Sequence, residues 1–275
     1  MPDPAALFDR AAVRAHRDRA GRIPGAHDFL FDEVAGRLAD RLDDAARGFP
    51  LALDLGCRAG AIADRLAARS GVETLVRCDL SPVAAGRAAG TDGAAPSALA
   101  LAADEEHLPF ATGTFDLVVS ALSLHWVNDL PGALVQIRRS LRPNGLFLAA
   151  MFGAGTLHEL RRALTEAEVE IEGGAGPRVS PFADLADCAA LLQRAGFTMP
   201  VADGETITVT YADAFALMRD LRGMGETNAL RERRRGFTRR STLARAAALY
   251  HDLYAGPEGR VPATFRIVTL TGWAP

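Results

Sequence analysis

Leu51-Ala52-Leu53-Asp54-Leu55-Gly56-Cys57-Arg58-Ala59-Gly60 runs from an apolar strand into a glycine turn, and Ala61-Ile62-Ala63-Asp64-Arg65-Leu66 continues it with helical spacing. A strand that feeds a glycine turn and then a helix begins a nucleotide-cofactor fold, because the turn lets a ligand approach the main chain. Gly56 suits the tight turn and Gly60 lets the next helix pack closely. Two later strand ends carry acids: Asp79 in Val76-Arg77-Cys78-Asp79-Leu80-Ser81, and Asp104 in Leu101-Ala102-Ala103-Asp104-Glu105. Three acids on three separate strands are a sharper signal than one glycine loop.

This arrangement discriminates among ligands. A dinucleotide places pyrophosphate on the helix N-terminus and normally uses G-x-G-x-x-G there. Here Asp54 precedes the turn, which disfavours a phosphate and favours an ammonium group, while Asp79 stands where a carboxylate accepts ribose hydroxyls. S-adenosylmethionine supplies both the adenosine and the ammonium.

Working outward, residues 5 to 47 read as two helices broken near Gly21 to Gly25, with Phe29, Leu30, Val34 and Leu38 on one apolar face, a lid before the first strand. Strands are expected at 51–55, 74–79, 98–102, 115–121 and 145–151. Helices are expected at 60–69, 82–89 and 130–141, the last closed by Pro143-Asn144-Gly145. Such alternation means a parallel sheet with right-handed crossovers. After Met151 a helix fits 156–171, Gly173 to Pro177 is a loop, and 183–195 is helical. Period-two runs at 205–211 and 263–270 are expected as antiparallel strands that complete the sheet, with 212–256 helical between them. The expected class is α/β: a Rossmann-like sheet, parallel with a terminal antiparallel strand, plus an N-terminal helical cap and a C-terminal helical insertion. The expected division is a cap over 1–50, a cofactor-binding core over 51–151, and a part over 152–275 that completes the sheet and meets substrate or partner.

At this point the residues resemble the class I methyltransferases, whose first motif reads D-x-G-x-G-x-G; Arg58 replaces its middle glycine. The resemblance implies S-adenosylmethionine as cofactor, with Asp54 and Gly56 at its methionine portion, Asp79 at the ribose and Asp104 at the adenine amino group. The full expected cofactor set is Asp54, Gly56, Cys57, Arg58, Gly60, Asp79, Leu80, Asp104, Glu105 and Ser120. The Arg58 side chain is expected either to point to solvent or to pair with the cofactor carboxylate. Further motifs narrow the likeness: Asp104-Glu105-Glu106-His107-Leu108-Pro109-Phe110, the run from Phe115 through His125-Trp126-Val127-Asn128 to Pro131, Met151-Phe152-Gly153, Thr156-Leu157, Glu159-Leu160-Arg161, Ser180-Pro181-Phe182, Gly223-Met224-Gly225-Glu226-Thr227-Asn228, and Val261-Pro262-Ala263-Thr264-Phe265 to Gly272-Trp273. From about Phe8 to Trp273 these look like the mitochondrial complex I assembly factors of methyltransferase fold and their bacterial relatives. The first half is shared with many methyltransferases, including the carboxyl methyltransferases of biotin synthesis, which also carry a His-Trp segment.

Three functions therefore stand side by side. One is an S-adenosylmethionine-dependent enzyme acting on a protein side chain, a complex I subunit being the implied partner, by methylation or by the arginine hydroxylation associated with that family. A second is carboxyl methylation of a carrier-bound diacid, and the third is a cofactor-binding assembly chaperone without transfer activity. His125 and Trp126 follow the fourth strand, at the carboxyl edge of the sheet. A neutral imidazole there takes a proton and the indole walls off the reactive methyl; the opposing reading is a core Trp126 and a His125 that caps the next turn with Asn128 and Asp129. The 223–228 segment reads as a substrate-positioning loop. Arg231 to Arg240 is the strongest charge run, either a solvated helix end or a docking surface for an acidic protein.

Composition bounds the rest. The 275 residues are 49% hydrophobic and 24% charged, enough apolar content to bury a core. A net charge of −3 gives no global attraction to nucleic acid or anionic membrane. All 31 basic residues are arginine, which excludes lysine Schiff-base chemistry and the lysine of a phosphate-binding loop. Cys57, Cys78 and Cys188 show no paired spacing, so neither disulfides nor structural zinc is expected, and a reducing compartment is. None of the six histidines lies four residues from another, and no metal site is expected. No apolar run approaches a membrane span, and Asp3, Asp9 and Asp18 argue against a mitochondrial presequence, so a bacterial cytosolic protein is expected.

Overall fold

The computed structural model describes residues 6–23, 25, 27–45, 47–58, 60–63, 65–66, 71–89 and 97–275. Two helices open the chain, α1 (Arg10–Ala20) and α2 (Phe29–Leu42). They are followed by β1 (Leu51–Leu55), β2 (Thr74–Asp79), α3 (Pro82–Ala89), β3 (Ser97–Ala102), β4 (Phe115–Ala121), a 3-10 turn over Leu124–Trp126, α4 (Leu130–Ser140) and β5 (Leu141–Phe152). The second half adds α5 (His158–Glu172), α6 (Leu185–Arg194), β6 (Thr198–Tyr211), α7 (Ala214–Gly223), α8 (Arg240–Tyr254) and β7 (Val261–Trp273). Of the helix expected at 60–69, Ala63, Arg65 and Leu66 are helical, Ala61 and Ile62 form a turn instead, and Asp64 and residues 67–69 lie outside the described residues, as do Asp3 and Pro4.

The seven strands form one sheet in the order β3-β2-β1-β4-β5-β7-β6. The first five pair in parallel, whereas β7 runs antiparallel to β5 and β6 antiparallel to β7. The strand order reverses between β1 and β4, so their carboxyl ends splay apart and form the crevice where such sheets take ligands. Both faces are covered, and β4 is accordingly buried at every position.

Several element bounds differ from the sequence reading, β7 among them at Val261–Trp273 rather than 263–270, and three places show the local reasons. α4 stops at Ser140, and the chain turns at Asn144 in the left-handed region while already paired with its neighbours, so β5 starts at Leu141 rather than 145. β6 begins at Thr198, seven residues before its alternating stretch, because its pairing with β7 carries across a bulge between Thr198 and Val201. The stretch 212–256 is two helices, α7 and α8, parted by an irregular segment. On α2 the buried face is Leu30, Phe31, Val34, Leu38 and Leu42, while Phe29 is exposed. Among the described residues no helix is long and apolar enough to cross a membrane.

Candidate active site

The glycine turn after β1 is bound to the end of β2: the Gly56 and Cys57 amides donate to the Cys78 carbonyl at 2.7 and 3.1 Å. Gly56 adopts φ 74, and a β-carbon there would collide with the Ser123 side chain, so the surface expected to face a ligand faces Ser123. Gly60 also has positive φ with open space around it, and Cys57 is a buried thiol held far above its usual range by burial. Asp54 lies inside β1, buried, and burial raises its carboxyl to about 8 against the opposing charge of Arg77. Among the described residues its Oδ2 and the Ser120 hydroxyl on β4 have no hydrogen-bond partner. At neutral pH Asp54 is therefore mostly protonated and presents little negative charge in this conformation.

Arg58 neither reaches solvent nor stands free for a ligand. Its guanidinium is buried, forms an ion pair with Glu226, donates to the carbonyls of Leu122 at 3.1 Å and Met224 at 3.2 Å, and stacks 4.9 Å over the Phe31 ring. The turn from Gly223 to Asn228 makes this possible. Gly223 leaves room for the His27 ring, and Gly225, at φ 77, lies against the His16 carbonyl on α1. Such close backbone approach delivers Glu226 under the 3-10 turn. There its carboxylate accepts from the Trp126 indole N–H at 2.8 Å and meets His125 Nε2 at 3.0 Å. Burial alone would raise Glu226, but Arg58 and His125 hold it down at about 2. Burial likewise lowers His125, with Glu226 opposing, so the imidazole is neutral at pH 7. Its Nδ1 has no partner among the described residues. His125 thus caps nothing; Asn128 bonds instead to the Phe8 backbone, its Oδ1 accepting from the amide at 2.7 Å.

The acids at the strand ends are met by α1. Arg10 and Arg17 are seven residues, about two turns, apart and share the inward face with Val13. Arg10 reaches Asp104 at 2.5 Å and also pairs with Glu105. Arg17, buried, donates to Glu105 at 2.5 Å and to the Ser123 hydroxyl at 2.8 Å, and lies 3.4 Å from Asp79. Burial would raise Glu105, but Arg17 and Arg10 hold it far below the carboxylate range. Asp79 accepts from the amides of Arg58 at 3.0 Å and Ser81 at 2.8 Å and is fully buried. Leu80 packs beside the cluster of Phe8, Val13, Trp126 and Leu230.

The expected cofactor set is thus brought to one edge of the sheet, but S-adenosylmethionine does not fit it as it stands. Asp79 and Glu105 are sealed under Arg17, and the cleft lined by Arg17, Phe31, Arg58 and Met224 offers about 20 Å³, room for about one water. On the other side of the 3-10 turn a wider cavity of about 300 Å³ is lined by His125, Phe8, Leu130, Met151, Phe182 and Leu191. Within the basic run Arg233 pairs with Asp9 at 2.9 Å and Arg234 with Glu172, while Arg235, Phe237, Arg239 and Arg240 are exposed. Arg10, Arg17 and Ser123 were not singled out from sequence, and Glu226 only as part of the 223–228 loop; the one signal for the first two was the seven-residue spacing of arginines around Val13. Among the described residues no three His, Cys, Asp or Glu side chains are grouped to hold a metal.

A family model described as a methyltransferase domain matches residues 53–149. Across 271 residues the chain is 44% identical to "Arginine-hydroxylase NDUFAF5, mitochondrial" of Danio rerio, covering 98% of this chain and 83% of that one. It is 36% identical over 272 residues to a malonyl-[acyl-carrier protein] O-methyltransferase of Halorhodospira halophila, covering 99% and 90%. Among solved structures it resembles the N-methyltransferase NodS of Bradyrhizobium japonicum, determined with S-adenosylhomocysteine, at TM-score 0.53 and 16% identity over 96% of this chain and 98% of that one.

Proposed function

The chain belongs to the methyltransferase-fold family that includes the arginine-hydroxylase NDUFAF5 proteins, and on that premise we propose that it is an S-adenosylmethionine-dependent enzyme acting on a protein side chain, in the service of respiratory complex I assembly. One observation carries the reading: the likeness to the arginine hydroxylase extends over 98% of the chain, far beyond the methyltransferase domain at 53–149. It takes in α1 and the 223–228 turn, the two elements that build the buried ion-pair network around His125. His125 is assigned as the proton acceptor, through its unpartnered Nδ1, and Trp126 as the wall beside it, both oriented by Glu226. Asp54, Gly56, Cys57, Arg58, Gly60, Asp79, Leu80, Asp104, Glu105 and Ser120 are assigned to the cofactor side. Residues 1–50 act as the cap, 51–151 as the cofactor core and 152–275 as the part that meets substrate. The partner is a complex I subunit and the setting a bacterial cytoplasm.

A second reading, methylation of a malonyl group on an acyl carrier, is favoured by the relative of Halorhodospira halophila. Mass spectrometry of the acceptor separates the two. Incubation with a complex I subunit is expected to add one methylene mass to an arginine-containing peptide when S-adenosylmethionine is supplied, or one oxygen mass when dioxygen and a two-electron reductant are supplied as well, and His125→Ala to abolish the gain. No gain on the subunit, with methyl ester formed on a malonyl carrier, would select the second reading. Full turnover in His125→Ala would remove the histidine from its role.

A further inference from the structure

We propose that α1 is a displaceable plug, whose Arg17 and Arg10 occupy the acids that a nucleoside cofactor would otherwise engage, so that cofactor binding and withdrawal of α1 are one equilibrium. The inference rests on the cofactor reading above. Three observations carry it. The acids lose their cations if α1 leaves: Glu105 and Asp79 are fully buried, and without Arg10 and Arg17 Glu105 keeps the Ser123 hydroxyl and Asp79 two backbone amides, so further donors are needed to offset two buried charges. A ligand carrying a vicinal diol and a cationic centre supplies such donors. The two occupants also exclude one another, because Arg17 is itself buried and the neighbouring cleft has room for about one water.

The attachment of α1 is of the kind that lets go. Within the helix the buried residues are Val13 and Arg17, a small apolar contribution for three turns of chain. Apart from the Arg10 and Arg17 pairs and a hydrogen bond from the Ser81 hydroxyl to Asp18, it is held by polar and edge contacts to one loop. Asp9 caps its first turn and pairs with Arg233 at 2.9 Å, the Asp9 amide donates to the Ala229 carbonyl at 2.8 Å, Phe8 forms a single antiparallel bridge with Leu230, and Arg19 donates to Thr227 at 3.3 Å. That loop continues directly from Glu226. Withdrawal of α1 therefore exposes the ribose-binding acid and loosens the segment that orients His125, which couples cofactor entry to the state of the candidate catalytic pair.

Trypsin reads the plug directly, since α1 carries Arg10, Arg14, Arg17 and Arg19. Saturating S-adenosylhomocysteine is expected to speed cleavage within α1 about threefold or more relative to cleavage in α5, the plug being populated less as ligand binds. Arg233→Ala cuts the surface tie without touching the buried acids, and is expected to tighten S-adenosylhomocysteine binding in calorimetry by about two- to fivefold, the worth of an exposed ion pair. Arg17→Gln is expected to tighten it by about tenfold or more, because a charged hydrogen-bonded pair is lost from the closed state. Protection of α1 by the ligand, or unchanged or weaker affinity in Arg233→Ala, overturns the plug while leaving the cofactor reading intact. Absence of S-adenosylhomocysteine binding in wild type and both variants overturns the cofactor reading, and the plug with it.

Discussion

Arg58 projects its side chain from a backbone at φ 49, in the left-handed region that favours glycine, yet the guanidinium ends buried against Glu226, Leu122, Met224 and Phe31. Two opposing effects decide the outcome of Arg58→Gly. Relief of the strained φ is worth about 1 kcal/mol, whereas breaking one side of a buried ion pair costs about 3 to 5 kcal/mol. A net loss of about 2 to 4 kcal/mol is expected in urea unfolding; a glycine variant as stable as wild type would show that the pair contributes nothing. Asp54 supplies a second test, one of sign. Its folded pKa of about 8 exceeds the ordinary 3.8, so between those values the folded state binds more protons than the unfolded, and the group removes stability as pH rises. Asp54→Asn, which stays neutral, should be more stable than wild type by about 5 kcal/mol at pH 8 and show little gain at pH 4. Equal denaturant midpoints for the two proteins at pH 8 would mean that Asp54 is charged in the fold. The sequence reading turned Asp54 toward a ligand and Arg58 toward solvent or a ligand, whereas both charges lie buried within the protein. Which partner a guanidinium takes depends on a glutamate 168 residues further along the chain, and that distance hides it from any local pattern.

At the scale of elements, the turn from Gly223 to Asn228 joins α7 to the site, and its glycines have separate duties. A β-carbon on Gly223 would run into the His27 ring, whose Nδ1 is 2.6 Å from Asp220 on α7. Gly223→Ala should therefore push α7 from the segment before α2, costing about 1 to 3 kcal/mol, with a lowered thermal midpoint as the measurement. An unchanged midpoint would show that the ring moves aside freely. The strands and helices of the first half were legible because each has a strong local cause: apolar strands closed by acids or glycine, and helices with apolar residues on one face. β6 was read seven residues short since its early part earns its place by pairing with β7 rather than by alternation. For α1 the sequence showed an arginine-rich helix but not its inward face. Arginines are ordinarily a solvent signal, and only the acids brought opposite them reverse that expectation.

Over the whole molecule, buried titratable groups set opposing pH dependences. Burial lowers His16 to about 4 and also lowers His125, so both are neutral in the fold, while the unfolded chain binds protons below about 6.5. Their contribution to stability is complete above 6.5 and shrinks as pH falls toward 4. Glu226, held at about 2, contributes above its ordinary 4.5 and is lost only in stronger acid. As pH falls from 6.5 to 4 the two histidines therefore remove stability while Asp54 adds it, and stability at pH 4 relative to pH 6.5 is expected to be higher in His16→Gln than in wild type, as read from denaturant midpoints; identical slopes would contradict a buried neutral His16. By itself the sequence determined the sheet, its parallel core and antiparallel end, and the acids that stand in or just after β1, β2 and β3, because each is written in residues close along the chain. Only the tertiary structure decided who faces those acids. Asp79, Asp104 and Glu105 come to Arg10 and Arg17 from strands 62 to 95 residues away, and Glu226 comes to His125 across 101. Charge pairing of that kind follows from burial and the exclusion of water, which exist only once the chain has closed around the site.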